Sequence, residues 1–295
     1  MSRYGLVAFG SSLDQAGPIT RSVRDAAQVL QTIAGHDPRD STSLNLPVPD
    51  YVSALDQGMR GLKLGVPKEY FGGGMQAEVE AAIRTAISVY AELGAEIEQV
   101  SLPHTDYALS TYYIISPAEA MANLARYDGV RSGLSVPGED MWEMFGRTRD
   151  VGFGKEVKRR ILLGTYALSA GFYDAYYLKA QKVRTLVRRD FEAAFSRVDA
   201  LLAPTAPSVA FPIGAKTDDP LEMYLSDVYT VPINIAGICA ISIPAGFVQG
   251  LPVGLQIIGK PLGEETILRT AHAFEAATEH SRMHPDVAAW EAVPS

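Results

Sequence analysis

Cysteine is almost absent from this sequence. Its 295 residues include one cysteine, Cys239, in the apolar run 238–241. A single cysteine excludes an internal disulfide and is typical of proteins that work in a reducing cytoplasm. We therefore expect a cytoplasmic protein in which Cys239 is a buried, inert thiol.

Long apolar runs and an excess of basic charge are missing too. No stretch approaches the ~18–20 apolar residues of a membrane helix, and residues 1–4 lack the apolar segment of a signal peptide. The net charge of −8 argues against binding nucleic acid through a general basic field. With 47% hydrophobic and 20% charged residues, the composition is ordinary for a soluble enzyme, and no membrane association is expected.

Familiar catalytic motifs are also missing. The sequence has no Gly-x-Ser-x-Gly elbow, no His-Glu-x-x-His, no paired-cysteine metal site and no phosphate-binding loop with its lysine. The five histidines are scattered and match no catalytic-triad spacing. From the residues alone we assign no catalytic residue and no metal ligand.

The sequence does contain alternating helix and strand signals. Apolar positions in 180–194 recur every three or four residues and predict a helix, and the short apolar run 198–203 predicts a buried strand. Residues 62–100 have the pattern strand–helix–strand, and 240–259 that of a hairpin. These units predict an α/β fold, as one large domain or two smaller ones.

Four further stretches carry local predictions. Residues 3–9 predict a strand, and residues 116–119 (Ser-Pro-Ala-Glu) predict a capping box that starts a helix running through Arg126. Residues 129–154 are rich in Gly, Pro and acidic residues and predict a surface excursion with one short apolar turn. Most basic residues of 155–189 are expected on solvated helix faces.

Arg160 is the exception among these basic residues. It lies beside the apolar residues Val157 and Ile161, where a guanidinium is expected to be partly covered. An inward arginine needs a partner, and a carboxylate held by two hydrogen bonds is the usual one. Spacing alone leaves two alternatives open, an internal salt bridge or a contact with a ligand, and it favours the salt bridge.

Several stretches together resemble the amidase signature family, and within it the A subunits of glutamyl-tRNA(Gln) amidotransferases. They run in order over nearly the whole chain. The principal ones are SRYGLVAFGSSLDQAGPITRSV (2–23), IAGHDPRDSTS (33–43), LKLGVPKEYF (62–71), the segment 152–186 with YYLKAQKVRT, LLAPTAP (201–207), DDPLEMY (218–224) and LPVGLQIIGKP (251–261).

The resemblance implies an α/β amidase-signature fold, a mixed β-sheet flanked by helices, with residues 1–295 forming the C-terminal portion of a single domain. It implies a glutaminase that supplies ammonia for converting Glu-tRNA(Gln) to Gln-tRNA(Gln). The implied partners are the B and C subunits, glutamine and, through the complex, charged tRNA. ATP and Mg are expected for the whole complex, and no cofactor is expected on this chain. The family's Ser, cis-Ser and Lys belong to a segment with no counterpart here, so we expect the chain to be inactive alone.

The resemblance also implies a substrate pocket. The family's arginine for the α-carboxylate of glutamine matches Arg160, and its acid for the α-ammonium matches Asp227, a few residues after the DDPLEMY stretch. A tyrosine corresponds to Tyr112 or its neighbour Tyr113, of which Tyr112 is preferred. Two alternatives remain for the function: a non-catalytic scaffold or binding remnant of the fold, and another amidase-signature amidohydrolase. An amidase for neutral amides would not need both charges.

Overall fold

The computed structural model describes residues 1–216 and 220–285. The helices in this part are α1 (Val23–Ile33), α2 (Tyr51–Ala54), α3 (Ala77–Glu92), α4 (Ala108–Leu124), α5 (Met141–Gly152), α6 (Lys155–Leu168), α7 (Lys179–Phe195), α8 (Pro220–Leu225), α9 (Val231–Ala236) and α10 (Glu264–Ala277). The strands are β1 (Lys63–Pro67), β2 (Glu96–Val100), β3 (Ala200–Pro204), β4 (Ala240–Val248) and β5 (Leu251–Gly259). A π-helical turn, Asp174–Leu178, precedes α7.

The strands form one mixed sheet in the order β2-β1-β3-β5-β4. β1 is parallel to both β2 and β3, whereas β5 is antiparallel to β3 and β4. The predicted strand–helix–strand unit and the predicted hairpin are therefore confirmed, as is the predicted mixed α/β sheet. Within the described residues, β2 and β4 are the edge strands.

Strand β3 is buried on both faces. Leu202 belongs to the core cluster under α1, α3 and α10, and Leu201 belongs to the cluster under α4, α7 and α9. Successive side chains of a strand point to opposite faces of the sheet, so one short apolar strand serves both clusters. The result is a helix–sheet–helix arrangement in which α7 packs directly on the sheet through Val187 and Phe191.

Helices α4 and α6 form an outer pair that touches backbone to backbone. A Cβ added at Gly164 of α6 would lie 2.0 Å from the carbonyl oxygen of Pro117 in α4. The predicted capping box at 116–119 is wrong, because α4 begins at Ala108 and runs through Pro117. Proline has no N–H to donate within the helix, so packing against Gly164, and not local propensity, carries α4 through this point.

Two other local predictions are wrong. Residues 3–9 form no strand, and the side chains of Leu6 and Val7 are exposed, because no strand lies beside them in the described part of the chain. Arg3 instead binds Asp40 through its backbone N–H and its guanidinium. Residues 141–145 are not an isolated turn but the first turn of α5.

The outer edge of β4 borders an open groove. This groove has a volume of about 1300 Å³ and is lined by residues 15–23, by α10 and by the start of β4. Ile19 is fully exposed at its rim. No helix in the described ranges is long and apolar enough to cross a membrane.

The contact between α4 and α6 yields the first prediction. Gly164→Ala lowers the free energy of unfolding by about 1–3 kcal/mol, because the new methyl group forces two helix backbones apart. Gly146→Ala in α5 is the matched control, since nothing lies within 4 Å of an added Cβ there. The control raises stability by up to ~1 kcal/mol through helix propensity. Urea unfolding of both variants measures the difference, and equal shifts would contradict the close contact.

Candidate functional site

A polar cluster lies where α4, α6 and the turn after α8 meet. We call it the Arg160 cluster. Its members are Phe9, Tyr112, Tyr113, Glu156, Arg160, Tyr224 and Asp227.

Arg160 is held on one side by a carboxylate and on another by an aromatic ring. Its Nε donates a hydrogen bond of 3.0 Å to Oε1 of Glu156, one helical turn earlier, and its guanidinium lies 5.9 Å from the centre of the Phe9 ring. Burial disfavours the charged guanidinium, but its interactions with Glu156 and Tyr112 outweigh this and raise the pKa of Arg160. The predicted inward arginine with a carboxylate partner is confirmed. The predicted two-bond geometry is wrong, since Glu156 accepts only from Nε.

Three tyrosines form the wall of the cluster. The rings of Tyr113 and Tyr224 stack at 4.0 Å between centroids, and Tyr112 meets Tyr113 edge-on at 5.0 Å. The hydroxyl of Tyr224 donates to the same Oε1 of Glu156 that Arg160 uses, at 3.2 Å. Burial, together with the charge of Asp227, raises the pKa of Tyr113. Tyr113 thus stays neutral.

Asp227 lies close enough to Arg160 for the two charges to influence each other. Partial burial raises the pKa of Asp227, and the positive charge of Arg160 opposes that rise. The ion pair that Arg160 forms in the described part of the chain is with Glu156, not with Asp227. The cation of Arg160 and the anion of Asp227 therefore lie in one site without forming an ion pair with each other.

The structure brings together the three residues that the sequence nominated, Arg160, Asp227 and Tyr112. Their role in binding a substrate stays a prediction. Sequence reasoning missed Glu156 and Phe9. The spacing of four residues between Glu156 and Arg160 was a usable signal, because such residues are neighbours on a helix. Phe9 had no comparable signal in the sequence, since it lies in a loop without periodicity.

A second polar group surrounds Ser12. Its hydroxyl lies 2.5 Å from Oε1 of Glu119, to which it donates, and it accepts from Nη1 of Arg184 at 2.7 Å. Both directions of hydrogen bonding are occupied, so the hydroxyl is not a free nucleophile. Glu119, predicted to cap a helix, thus binds a distant loop. Arg184 was predicted on a solvated face, and this is wrong: burial lowers its pKa, and its Nε donates to the carbonyl of Ile235.

The described residues include no cluster of potential metal ligands. Among the described residues, no three His, Cys, Asp or Glu side chains are grouped so that they could hold a metal ion. Asp218 and Asp219 of the DDPLEMY stretch lie outside the described residues.

Comparison with known proteins gives consistent matches. The family model for amidases matches residues 1–268. The glutamyl-tRNA(Gln) amidotransferase A subunit from Moorella thermoacetica is 64% identical over 287 residues, which are 97% of this chain and 59% of that protein. The A subunit from Chloroflexus aggregans is 60% identical over 98% of this chain and 59% of its own length. The chain thus spans about three fifths of the length of these relatives.

Solved structures share the fold. The crystal structure of the glutamyl-tRNA(Gln) amidotransferase A subunit from Thermotoga maritima has a TM-score of 0.77 and 42% identity, over 96% of this chain and 57% of that one. A bacterial aryl acylamidase of the amidase signature family has a TM-score of 0.72 and 29% identity, over 90% of this chain and 53% of its own. With a family model that covers most of its length and relatives well above half identical, this chain belongs to the amidase family.

Proposed function

We propose that this chain recognises glutamine as part of the A subunit of a glutamyl-tRNA(Gln) amidotransferase. In the whole protein, glutamine would be hydrolysed and its ammonia used to convert Glu-tRNA(Gln) to Gln-tRNA(Gln). The observation that carries the proposal is the placement of Arg160 and Asp227 at one site without an ion pair between them. The names of the relatives with which the chain shares its sequence support the assignment.

The chemistry of the ligand fits this arrangement. Free glutamine carries an α-carboxylate and an α-ammonium on one carbon, so a selective site needs a cation and an acid that face it together. Glu156 binds Nε of Arg160, and the α-carboxylate of glutamine would bind at the terminal nitrogens of the guanidinium. Asp227 accepts from the ammonium, and Tyr112 contributes a hydroxyl beside the arginine. Because Arg160 and Asp227 are partly shielded from water, a ligand that lacks either charge leaves one of them poorly compensated and binds more weakly.

Two other functions compete with this one. An amidase for neutral amides, such as the similar aryl acylamidase, needs no pair of opposite charges in its pocket. A non-catalytic remnant of the fold would not be constrained to keep them. The site of this chain has both charges, and they lie beside the wall that the three tyrosines form. This favours recognition of an amino acid.

The complex and its compartment belong to the same proposal. The B and C subunits would hold this chain, charged tRNA would reach it through the complex, and ATP and Mg would serve the complex rather than this chain. The one cysteine, Cys239, hydrogen-bonds the carbonyl of Lys260, and burial raises its pKa to about 12, so the thiol stays protonated and inert. Such a thiol suits a cytoplasmic protein.

The first test of the proposal is glutamine affinity. Arg160→Ala and Asp227→Asn each weaken binding roughly ten- to hundredfold, because a charge-assisted hydrogen bond contributes about 1.5–3 kcal/mol. Lys158→Ala removes one positive charge from the same helix, where Lys158 pairs with Asp150 away from the cluster. That control leaves the affinity unchanged. Isothermal titration calorimetry with the purified chain gives the three dissociation constants. Arg160→Ala and Lys158→Ala each remove one positive charge, so equal losses in these two variants would point to a general charge effect and refute the site.

The second prediction concerns stability and pH. Because its pKa is raised in the folded chain, Asp227 favours folding when protonated, and this contribution is lost as the pH rises through its folded pKa. Asp227→Asn therefore raises the melting temperature at pH 7, and the gain shrinks as the pH falls towards 3.8, the ordinary value of an aspartate. Asp227 as a whole residue is exposed, so solvent keeps the gain small. A lower melting temperature at pH 7 would contradict the assigned partial burial of the carboxyl.

The third prediction is that this chain alone releases no ammonia from glutamine. Amide cleavage needs an activated nucleophile, a base and oxyanion donors. Ser12 is held by Glu119 and Arg184, and no lysine precedes Lys63 in the sequence. An enzymatic ammonia assay at saturating glutamine should match buffer. Turnover that disappears in Ser11→Ala or Ser12→Ala would reveal a nucleophile and overturn this expectation.

A further inference from the structure

The loop of residues 9–14 is fixed along its whole length. The carboxylate of Asp14 accepts from the backbone N–H of Phe9 at 2.8 Å and from that of the next residue at 2.9 Å. Asn123, on α4, donates its side-chain amide to the carbonyl of Phe9 at 2.9 Å and to the hydroxyl of Ser11 at 2.8 Å. Both backbone groups of Phe9 are thus held, one from within the loop and one from α4.

Ser12 is the second anchor of the loop. Glu119 of α4 accepts from its backbone N–H at 2.9 Å and from its hydroxyl at 2.5 Å. Arg184 of α7 donates to the same hydroxyl at 2.7 Å and to the carbonyl of Ser12 at 3.2 Å. Asp14 and Asn123 bind the backbone at Phe9 and the residue after it, whereas Glu119 and Arg184 bind the backbone and the hydroxyl of Ser12.

Arg184 connects this loop to the other half of the site. Its Nε donates to the carbonyl of Ile235 in α9 at 2.9 Å. Helix α9 directly follows the turn that carries Asp227, and that turn is joined to it by the hydrogen bond from the N–H of Val231 to the carbonyl of Asp227. One guanidinium therefore holds both the loop whose Phe9 covers Arg160 and the helix that extends from Asp227.

We propose that Arg184 and Glu119 are positioning residues that set the placement of Arg160 relative to Asp227. Through Ser12 they hold Phe9 beside the guanidinium of Arg160, which limits the orientations of a long side chain and keeps its terminal nitrogens turned to the ligand's carboxylate. The proposal rests on the proposed recognition of an α-amino acid by Arg160 and Asp227.

The chain offers a matched control for Arg184. Arg188 lies one turn later on α7, and its Nε donates to the carbonyl of Ala236, also in α9, at 3.2 Å. Arg188 binds the helix but makes no hydrogen bond to loop 9–14 in the described structure. Arg184→Lys and Arg188→Lys thus remove equivalent anchors of α9, and only the first releases the loop.

The test measures calorimetric affinity of the purified chain for glutamine and for L-glutaminamide, which lacks the α-carboxylate. Arg184→Lys and Glu119→Gln weaken glutamine binding roughly tenfold or more, because a poorly supported site loses its geometry. Their effect on L-glutaminamide is much smaller, and Arg188→Lys changes neither affinity. In a protein that already carries Arg160→Lys, adding Arg184→Lys or Glu119→Gln weakens glutamine binding no further, since both act through Arg160.

A readout without ligand separates this proposal from the proposed function. In NMR spectra, the Nε–Hε signal of Arg160 shifts in Arg184→Lys and Glu119→Gln, but not in Arg188→Lys, and the amides of loop 9–14 exchange faster in the first two. If the unaltered chain binds no glutamine, the proposed function fails, and this signal alone decides the positioning role. The positioning role would be overturned if the Arg160 signal were unchanged in Arg184→Lys and Glu119→Gln. It would also be overturned if these variants lost equal affinity for glutamine and for L-glutaminamide. Should Arg184→Lys not fold, Glu119→Gln and Ser12→Ala carry the same comparison.

Discussion

The contact on which the site depends is the one between the backbones of α4 and α6. Gly164 has no side chain, and Pro117 has its carbonyl where a Cβ at Gly164 would be. Arg160 precedes Gly164 by one helical turn, and Tyr113 precedes Pro117 by one turn. This close contact thus lies one turn from Arg160 on α6 and one turn from Tyr113 on α4. A single methyl group added at Gly164 would force the two helix backbones apart.

The charges of the site are arranged at a cost to folding. Arg160 forms its ion pair with Glu156, which also accepts from the hydroxyl of Tyr224, so the direct partner of Arg160 is local and is not Asp227. The carboxyl of Asp227 is left with a raised pKa. A direct pair between Arg160 and Asp227 would stabilise the empty protein and occupy both groups that a zwitterion needs. Leaving a charged group under-compensated is typical of a binding site, where the ligand supplies the missing partner.

The sequence predicted the elements whose apolar pattern repeats over a whole segment. The structure contains all three such elements, namely the helix predicted at 180–194, the strand at 198–203 and the hairpin at 240–259. Their apolar patterns match the faces that are buried in the core, and this burial stabilises them directly. The prediction failed where a tertiary contact outweighed a local signal. Residues 116–119 have the chemistry of a helix start, yet packing on Gly164 carries α4 through Pro117, and Glu119 binds Ser12.

The candidate site was only partly accessible to sequence reasoning for the same reason. Spacing indicated that Arg160 faces inward, but its proximity to Asp227 followed from matching family motifs and not from any period. Phe9 and Arg184 could not be found at all. One lies in an aperiodic loop, and the other has the same spacing on α7 as basic residues that face solvent. Only the fold shows that Arg184 contacts Ser12 and Ile235 together.

The supports of the Arg160 cluster lie within this chain, although the chain spans about three fifths of its relatives' length. Loop 9–14 and helices α4, α7 and α9 hold one another through hydrogen bonds and through a core cluster formed by the described residues. Helix α6 packs on α4 through the contact of Gly164 with Pro117. If the proposed function holds, binding of the amino acid and cleavage of its amide are therefore separable properties. Affinity is the property to measure on this chain, since it depends on groups that the chain itself positions. The rate of cleavage depends on a nucleophile and a base that the described site does not supply.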